Sequence, residues 1–408
     1  MEKSKGYKAF RENIKYENYM KPRILLLHAD GTQALPFAKS LKQHGYSVDG
    51  VFLAKSSYGY FSRFIDRKYI YKGSMKDFES YFAFVNKIVI KEKYASIVPL
   101  NDESAELMSK YRSQLLQYCK FIVPDYEIFI KGYDKHKLME LCEKQNYPHP
   151  KTAIVEDGDL SKAEISKLKF PILIKPNDTC GGRGMTYVES EERLKEVFPR
   201  IYSQFGDCHL QEFIPAGGAQ VEVQLYVDEK SELLNSSVIH KFRWYPENGG
   251  SSCCNKSVRN DRIVNICHNV LKDLGWIGFA DFDTIEDPRT GDLLILEINP
   301  RMPACIRTAF MSGTDWAEIV INEYLGLPRK EHKEFKEIYL RHLGFEGLWF
   351  LYSKNRFKTH PNWFRFIGRN IYYQDMCWND IFPFFAGTWG NLKKQLNPEF
   401  RKAKDGLR

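Results

Sequence analysis

At 408 residues, with 43% hydrophobic and 27% charged side chains, the chain has the composition of a globular protein with a large buried core and not of a disordered one. Its formal charge of +8 is modest for this length, which permits an anionic small-molecule substrate and gives no indication of nucleic acid. Nine scattered cysteines without a CxxC pair argue against a disulfide frame or zinc ribbon and predict reduced thiols in the cytoplasm; no apolar run reaches the roughly 18 residues that a transmembrane helix needs.

Residues 1–20 read as an exposed or helical leader that lacks the apolar middle of a secretory signal. Pro22–Ala29 is a short apolar run closed by Asp30-Gly31, the pattern of a buried parallel strand and turn. Leu35, Phe37, Ala38 and Leu41 follow at helical spacing, and Tyr46–Ala54 supplies a second strand. Tyr69–Tyr71, a helix around Phe78–Tyr94 and the strand Ser96–Asn101 continue the alternation. Residues 21–125 therefore read as a small doubly wound domain. Its first turn offers only Gly31, so it carries no GxGxxG dinucleotide fingerprint.

A second region spans residues 126–330. A helix at Tyr133–Thr152 ends at Pro148 and Pro150, and the strand Phe170–Pro176 leads into the glycine loop Thr179–Met185. Strands at Thr186–Glu189, Cys208–Pro215 and Ala219–Asp228 follow, with a helix at Ser190–Tyr202. Lys241–Ser257 reads as a basic, aromatic segment running into a glycine–serine loop. A helix over Asp261–Leu274 precedes two strands, Gly278–Asp287 and Leu293–Arg301, joined by a PRTGD turn.

Three clusters carry chemistry. Gly181, Gly182, Arg183 and Gly184 allow backbone N–H groups to approach an anion closely, although no P-loop is present. Lys175 ends an apolar strand six residues before those glycines, a good place for an ammonium on a phosphate, although a lone lysine there is more commonly a snorkelling edge residue. Asp281 and Asp283 alternate on one strand, and Glu297 and Asn299 on the next, so strand pairing gathers Asp283, Glu297 and Asn299 on one face. Carboxylates held together beside a core repel unless a cation sits between them, and oxygen ligands favour magnesium. Arg301, two residues past Asn299, falls on the same side and can clamp a phosphate or carboxylate.

In order and spacing, Lys135, the strand ending in Lys175, GGRGM, QEFIP, DFD and LEINPR resemble the ATP-grasp superfamily, with a flavour of carboxylate–amine (amino-acid) ligases and carbamoyl phosphate synthetase domains. The resemblance covers residues 22–330 and implies an ATP-grasp fold, α/β and α+β, behind an N-terminal doubly wound domain, with a flap subdomain at about 153–210. It implies that Lys135 and Lys175 contact ATP phosphates and that Gly181, Gly182, Arg183, Gly184 and Met185 close over them. Gln211, Glu212 and Ile214 would form the hinge that reads adenine, with Phe213 packed behind, and Gln220 or Glu222 would bind ribose. Asp283, Glu297 and Asn299 would hold Mg2+, or Mn2+ in its place, and Arg301 would face the γ-phosphate. The implied reaction is ATP-dependent activation of a carboxylate as an acylphosphate, captured by an amine. The alternatives are a bicarbonate-using carboxylase or carbamoyl-phosphate enzyme, or an inactive ATP-binding protein. Arg243 and Arg307 are the candidates for an anionic substrate group. A homodimer is common in such enzymes.

Residues 331–408 differ from the rest, with 14 Lys/Arg against 8 Asp/Glu and 18 aromatics. The simplest expectation is a small helical extension whose aromatics pack onto the body. The competing ones are a docking face for a membrane surface or anionic partner and, least favoured, nucleic-acid binding.

Overall fold

The computed structural model describes residues 22–177, 184–246, 250–329 and 334–396. Three sheets organise it. The first is parallel, with β1 (Arg23–Leu27) at its centre: its order is β3-β2-β1-β4, where β2 is Ser47–Phe52, β3 Lys68–Ile70 and β4 Ser96–Pro99. Helices α1 (Ala34–Gln43) and α2 (Phe78–Glu92) provide the crossovers. Ile24, Leu25, Leu26 and Leu27 are all fully buried, which is why β1 reads as an unbroken apolar run. Helices α3 (Asp102–Lys110), α4 (Arg112–Leu115), α5 (Tyr126–Tyr133) and α6 (Lys135–Gln145) lead out of this sheet.

The second sheet is antiparallel, in the order β5-β8-β6-β7: β5 (Thr152–Ile154), β6 (Ile172–Pro176), β7 (Thr186–Val188) and β8 (Cys208–Glu212). Helix α7 (Glu191–Phe205) covers one face through Leu194, Val197, Phe198 and Ile201.

The third sheet has seven strands, in the order β13-β12-β9-β10-β11-β14-β15. They are β9 (Gln220–Val227), β10 (Leu233–Tyr245), β11 (Ser251–Val258), β12 (Gly278–Glu286), β13 (Leu293–Asn299), β14 (Tyr339–Arg341) and β15 (Ile371–Tyr373). Helix α8 (Asp261–Leu274) packs on β9, and after the short α9 (Arg307–Ser312) helix α10 (Trp316–Leu325) returns to the first sheet's core through Trp316, Val320 and Ile321.

Two expectations need correction. The glycine–serine loop expected within Lys241–Ser257 is largely strand: Lys241–Tyr245 end β10 and Ser251–Ser257 lie in β11, paired antiparallel from Val238↔Val258 to Tyr245↔Ser251. The alternation was hidden because Lys241 and Arg243 hold positions that a strand pattern expects to be apolar. Residues 334–396 are likewise not a helical appendage, since β14 and β15 extend the central sheet. Helix α11 (Leu343–Tyr352) then packs on β10 and β11, and α12 (Phe382–Leu396) lies against Gly59–Phe61. Nor do the aromatics pack as a set. Trp349 is buried and Trp363 half-buried, but Trp378 is 82% and Trp389 56% exposed.

The C-terminal segment is fastened by a buried charge cluster. Glu346 accepts from Arg243 Nε (3.2 Å) and Nη2 (2.6 Å) and from Arg341 Nε (2.9 Å). The remaining guanidinium donors reach the carbonyls of Pro361 (2.6 Å), Arg365 (2.6 Å) and Trp363 (2.8 Å).

Candidate active site

Strand register builds the site. In antiparallel pairing, residues opposite one another share a face. Glu222, Asp283 and Glu297 form one such row across β9, β12 and β13, and Gln224, Asp281 and Asn299 form the next. A β-bulge between Asp283 and Thr284 sits beside the first row, a common way of re-aiming side chains at a site. From β10, Lys241 Nζ reaches both Asp283 Oδ1 (2.6 Å) and Glu222 Oε2 (2.9 Å). Burial opposes the charge on Lys241, but those two carboxylates hold its pKa well above the ordinary lysine value.

The same groups set the acids apart. Burial alone would raise Asp283, yet the Lys241 ammonium and the Arg301 guanidinium keep it below the usual carboxylate range. Asp281 goes the other way: it is 1% exposed, Oδ1 has no hydrogen-bond partner, and burial together with the charges of Glu222 and Asp283 pushes it well above that range. Arg301 spans the second row, donating through Nη2 to Asn299 Oδ1 (3.3 Å) and through Nε to Asp102 Oδ1 (3.1 Å). Asp102 opens α3, so the first sheet's neighbourhood orients this arginine.

Facing these acids is a cationic pair. Lys135, the first residue of α6 behind the Asp134 cap, places Nζ 3.2 Å from Glu297 Oε2. Lys175 on β6 donates to Gln211 Oε1 (2.9 Å), and Gln211 is held in turn by donating to Thr152 Oγ1 (3.2 Å). Burial, and then the nearby Lys135 charge, lowers the Lys175 pKa to about 8. His209 pairs with Lys175 in register; it is buried, bonded through Nδ1 to Asn177 Oδ1 (2.7 Å), and its Nε2 has no partner. Burial and the two lysine charges hold its pKa well below the usual value, so it is neutral.

The oxygen donors of Asp283, Glu297 and Asn299 suit a hard cation, and two lysine ammoniums already stand where cationic charge is called for. The donor set therefore fits magnesium.

The other expected residues fall as follows. Gly181, Gly182 and Arg183 lie outside the described residues; Gly184 has φ +71°, the left-handed region that favours glycine, and Met185 precedes β7. Gln211 and Glu212 lie inside the ladder of β8, where the Glu212 N–H donates to Lys151 O (2.8 Å). Gln211 acts through its side chain, and that backbone N–H is unavailable to a base. Phe213 packs edge-on against Tyr187 (5.0 Å), and Ile214 is buried just past the strand end. Glu222 stands in the acidic row and holds Lys241, so Gln220 is left as the ribose candidate. Arg243 is corrected as a substrate residue: it is buried and donates to Glu346, Pro361 O and Thr359 Oγ1. Arg307 donates to Met376 O (2.9 Å) and lines a cavity of about 230 Å3 shared with Ser40, Asp315 and Asp380. Lys241, Asp102 and His209 were missed. Reading β10 as a strand paired to β9 would have found Lys241.

With this geometry in view, the comparisons are decisive for the fold. Residues 133–305 match the family described as ATP-grasp domain. The chain has the ATP-grasp fold. A D-aspartate ligase of Enterococcus faecium is 27% identical over 251 residues, covering 57% of this chain and 59% of that protein, so the chain spans less than two thirds of that relative's length. The biotin carboxylase domain dimer of Hydrogenobacter thermophilus 2-oxoglutarate carboxylase, solved with MgADP and bicarbonate, superposes with a TM-score of 0.64 at 17% identity, covering 78% of this chain and 73% of that one. An L-amino acid ligase from Bacillus licheniformis gives 0.57 at 14% identity, with 78% and 76% covered. The ATP-grasp fold is thus established across three quarters of the chain.

The lowered Lys175 pKa gives a pH prediction. The ammonium that would meet a phosphate is present below about 8 and is lost above it. MgATP affinity should therefore fall as pH rises through about 8, by up to about tenfold per pH unit, with proton uptake on binding above that value. Calorimetry in buffers of different ionisation enthalpy reads both. An affinity that stays flat across that pH, with no proton uptake, contradicts a phosphate contact for Lys175.

Proposed function

We propose that this protein is an ATP-dependent ligase that activates a small-molecule carboxylate as an acylphosphate and joins it to an amine through a C–N bond. The observation that carries this reading is the facing of Lys135 and Lys175 against the in-register set Asp283, Glu297 and Asn299, with Lys241 and Arg301 beyond it. The cationic pair suits the triphosphate, and a magnesium ion held by Asp283, Glu297 and Asn299 would neutralise charge on the phosphates. A substrate carboxylate oxygen attacks the γ-phosphorus, and the bond to ADP breaks. The amine nitrogen then attacks the acyl carbon, phosphate leaves with the bonding pair, and the amine proton passes to solvent. Arg301, kept charged by Asp102 and Asp281 despite burial, and Lys241 are placed to hold the negative oxygens of both steps. The likeness to a D-aspartate ligase favours an amino acid as one substrate.

With this reading go residues 21–125 as the doubly wound domain, residues 126–330 as the ATP-grasp domain, and a cytoplasmic location, which suits the described cysteines, all free thiols. A homodimer is in keeping with the carboxylase domain solved as a dimer.

The test is phosphate release from MgATP over pairs of carboxylates and amines, D-aspartate included. Release that requires both partners is expected. Release on bicarbonate alone would assign a carboxylase, and MgATP binding without release under any pair would assign a regulatory protein.

A further inference from the structure

We propose that the C-terminal segment, from α11 to α12, docks on an anionic lipid surface. The first observation is the sign of its charge. Between residues 343 and 393 the acids are Glu346, Asp375 and Asp380, and all three are buried and engaged. Glu346 is taken by Arg243 and Arg341, Asp375 by the backbone N–H groups of Leu343 and Gly344, and Asp380 by Ser62 Oγ (2.6 Å). Lys354, Lys358, Arg365, Arg369 and Lys393 are exposed, so the surface of this stretch is basic, with no exposed acid among the same residues.

The second observation is what lies between those cations. Ile367 is 92% and Phe357 71% exposed, and Phe357 stacks with the exposed Phe364 beside Phe350. On α12, Phe382, Phe385, Trp389 and Leu392 recur at helical spacing and are all exposed. The opposite face of that helix is seated. A Cβ at Gly387 would lie 2.2 Å from the Tyr58 ring, and one at Gly390 2.3 Å from the Ser56 carbonyl. The stripe thus faces away from the body. His342, which caps α11, packs edge-on against the same Tyr58, so one aromatic ring seats both helices on the body. Large apolar side chains exposed in clusters of this kind are a mark of a surface that meets a partner.

Charge complementarity selects the occupant. A second copy would set this basic face against itself. Residues 2–21 carry six Lys/Arg and three Glu, so they too are repelled. A nucleic acid would satisfy the cations but leave Ile367, Phe357 and Leu392 without an apolar phase, and an acidic protein would need an apolar patch of its own set among its acids. An anionic bilayer supplies both, with aromatics at the headgroup level and cations on the lipid phosphates. No helix among the described residues is long and apolar enough to cross a membrane, so the contact is a peripheral one.

The experiment is sedimentation of the full chain with phosphatidylcholine vesicles, with and without phosphatidylglycerol, at low and high salt. Binding should require phosphatidylglycerol and weaken with salt. Lys358→Ala with Arg369→Ala should lower partitioning by about 25-fold, about fivefold for each cation. Phe385→Ser with Trp389→Ser should lower it further while leaving the melting temperature and ADP formation at wild-type values. Absence of binding to the anionic vesicles at low salt overturns the proposal. So does a wild-type dimer that Phe385→Ser with Trp389→Ser converts to monomer without any vesicle binding, which would assign the face to a second copy. Failure here leaves the ligase reading intact, since that is read in phosphate release.

Discussion

Replacing Glu297 with Gln should lower ADP formation at least a hundredfold while the protein still folds. Glu297 stands opposite Asp283 on the outermost strand of the central sheet, and its side chain remains 30% accessible, so the substitution opens no cavity. What it removes is one negative charge from the oxygen set proposed for magnesium, together with the carboxylate that holds Lys135 Nζ at 3.2 Å. Losing one fixed electrostatic partner at a reacting phosphate costs on the order of 100- to 1000-fold in rate. Two readouts separate the causes. A metal role predicts that activity becomes dependent on higher magnesium concentration and is partly restored by Glu297→Asp. A role confined to holding Lys135 predicts an ordinary magnesium dependence with weakened ATP binding, as in Lys135→Ala. Near wild-type turnover with an unchanged magnesium response would sink the metal assignment.

Much of this site was legible because its elements obey simple periods. Asp281 and Asp283 alternate, as do Glu297 and Asn299, and a PRTGD turn forces their strands to pair, so the acidic rows follow from spacing alone. The run before Asp30 could only be a buried strand. What stayed hidden lies where polar residues occupy inward positions. Lys241 points inward, half-buried, because two carboxylates await it, and Arg243 is buried because Glu346, more than a hundred residues later, awaits it. Neither partner is visible from local spacing, so the end of β10 reads as a basic, aromatic segment and not as a strand, and Arg243 as a cation for an anionic substrate. Asp102 illustrates the same limit, since only the fold brings it to Arg301 across 199 residues of chain. The C-terminal aromatics misled for a related reason. Sequence shows that they are abundant, but burial depends on whether a facing surface exists, and for Trp378 and Trp389 the described residues offer little.

Glu346→Ala should destabilise the fold by about 3–5 kcal/mol, the cost expected when one partner of a buried ion cluster is removed. Glu346, Arg243 and Arg341 are each no more than 2% exposed. The carboxylate accepts from both arginines, while the carbonyls of Pro361, Trp363 and Arg365 take other guanidinium donors. Without Glu346 two guanidiniums remain in an apolar pocket against Trp349 and Phe366, with neutral dipoles as their only compensation. Urea denaturation should show a lower midpoint, and the C-terminal segment should become accessible to protease before the remainder of the chain, since this cluster joins α11 to β10 and β14. Arg243→Ala tests the same geometry from the other side. It should cost stability, while the KM for either substrate, measured on the folded fraction, stays within about twofold of wild type, because a guanidinium already donating to Glu346, Thr359 and Pro361 has nothing left to offer a ligand. A large rise in KM with unchanged stability would return Arg243 to the substrate site, and with it the expectation that the sequence first raised.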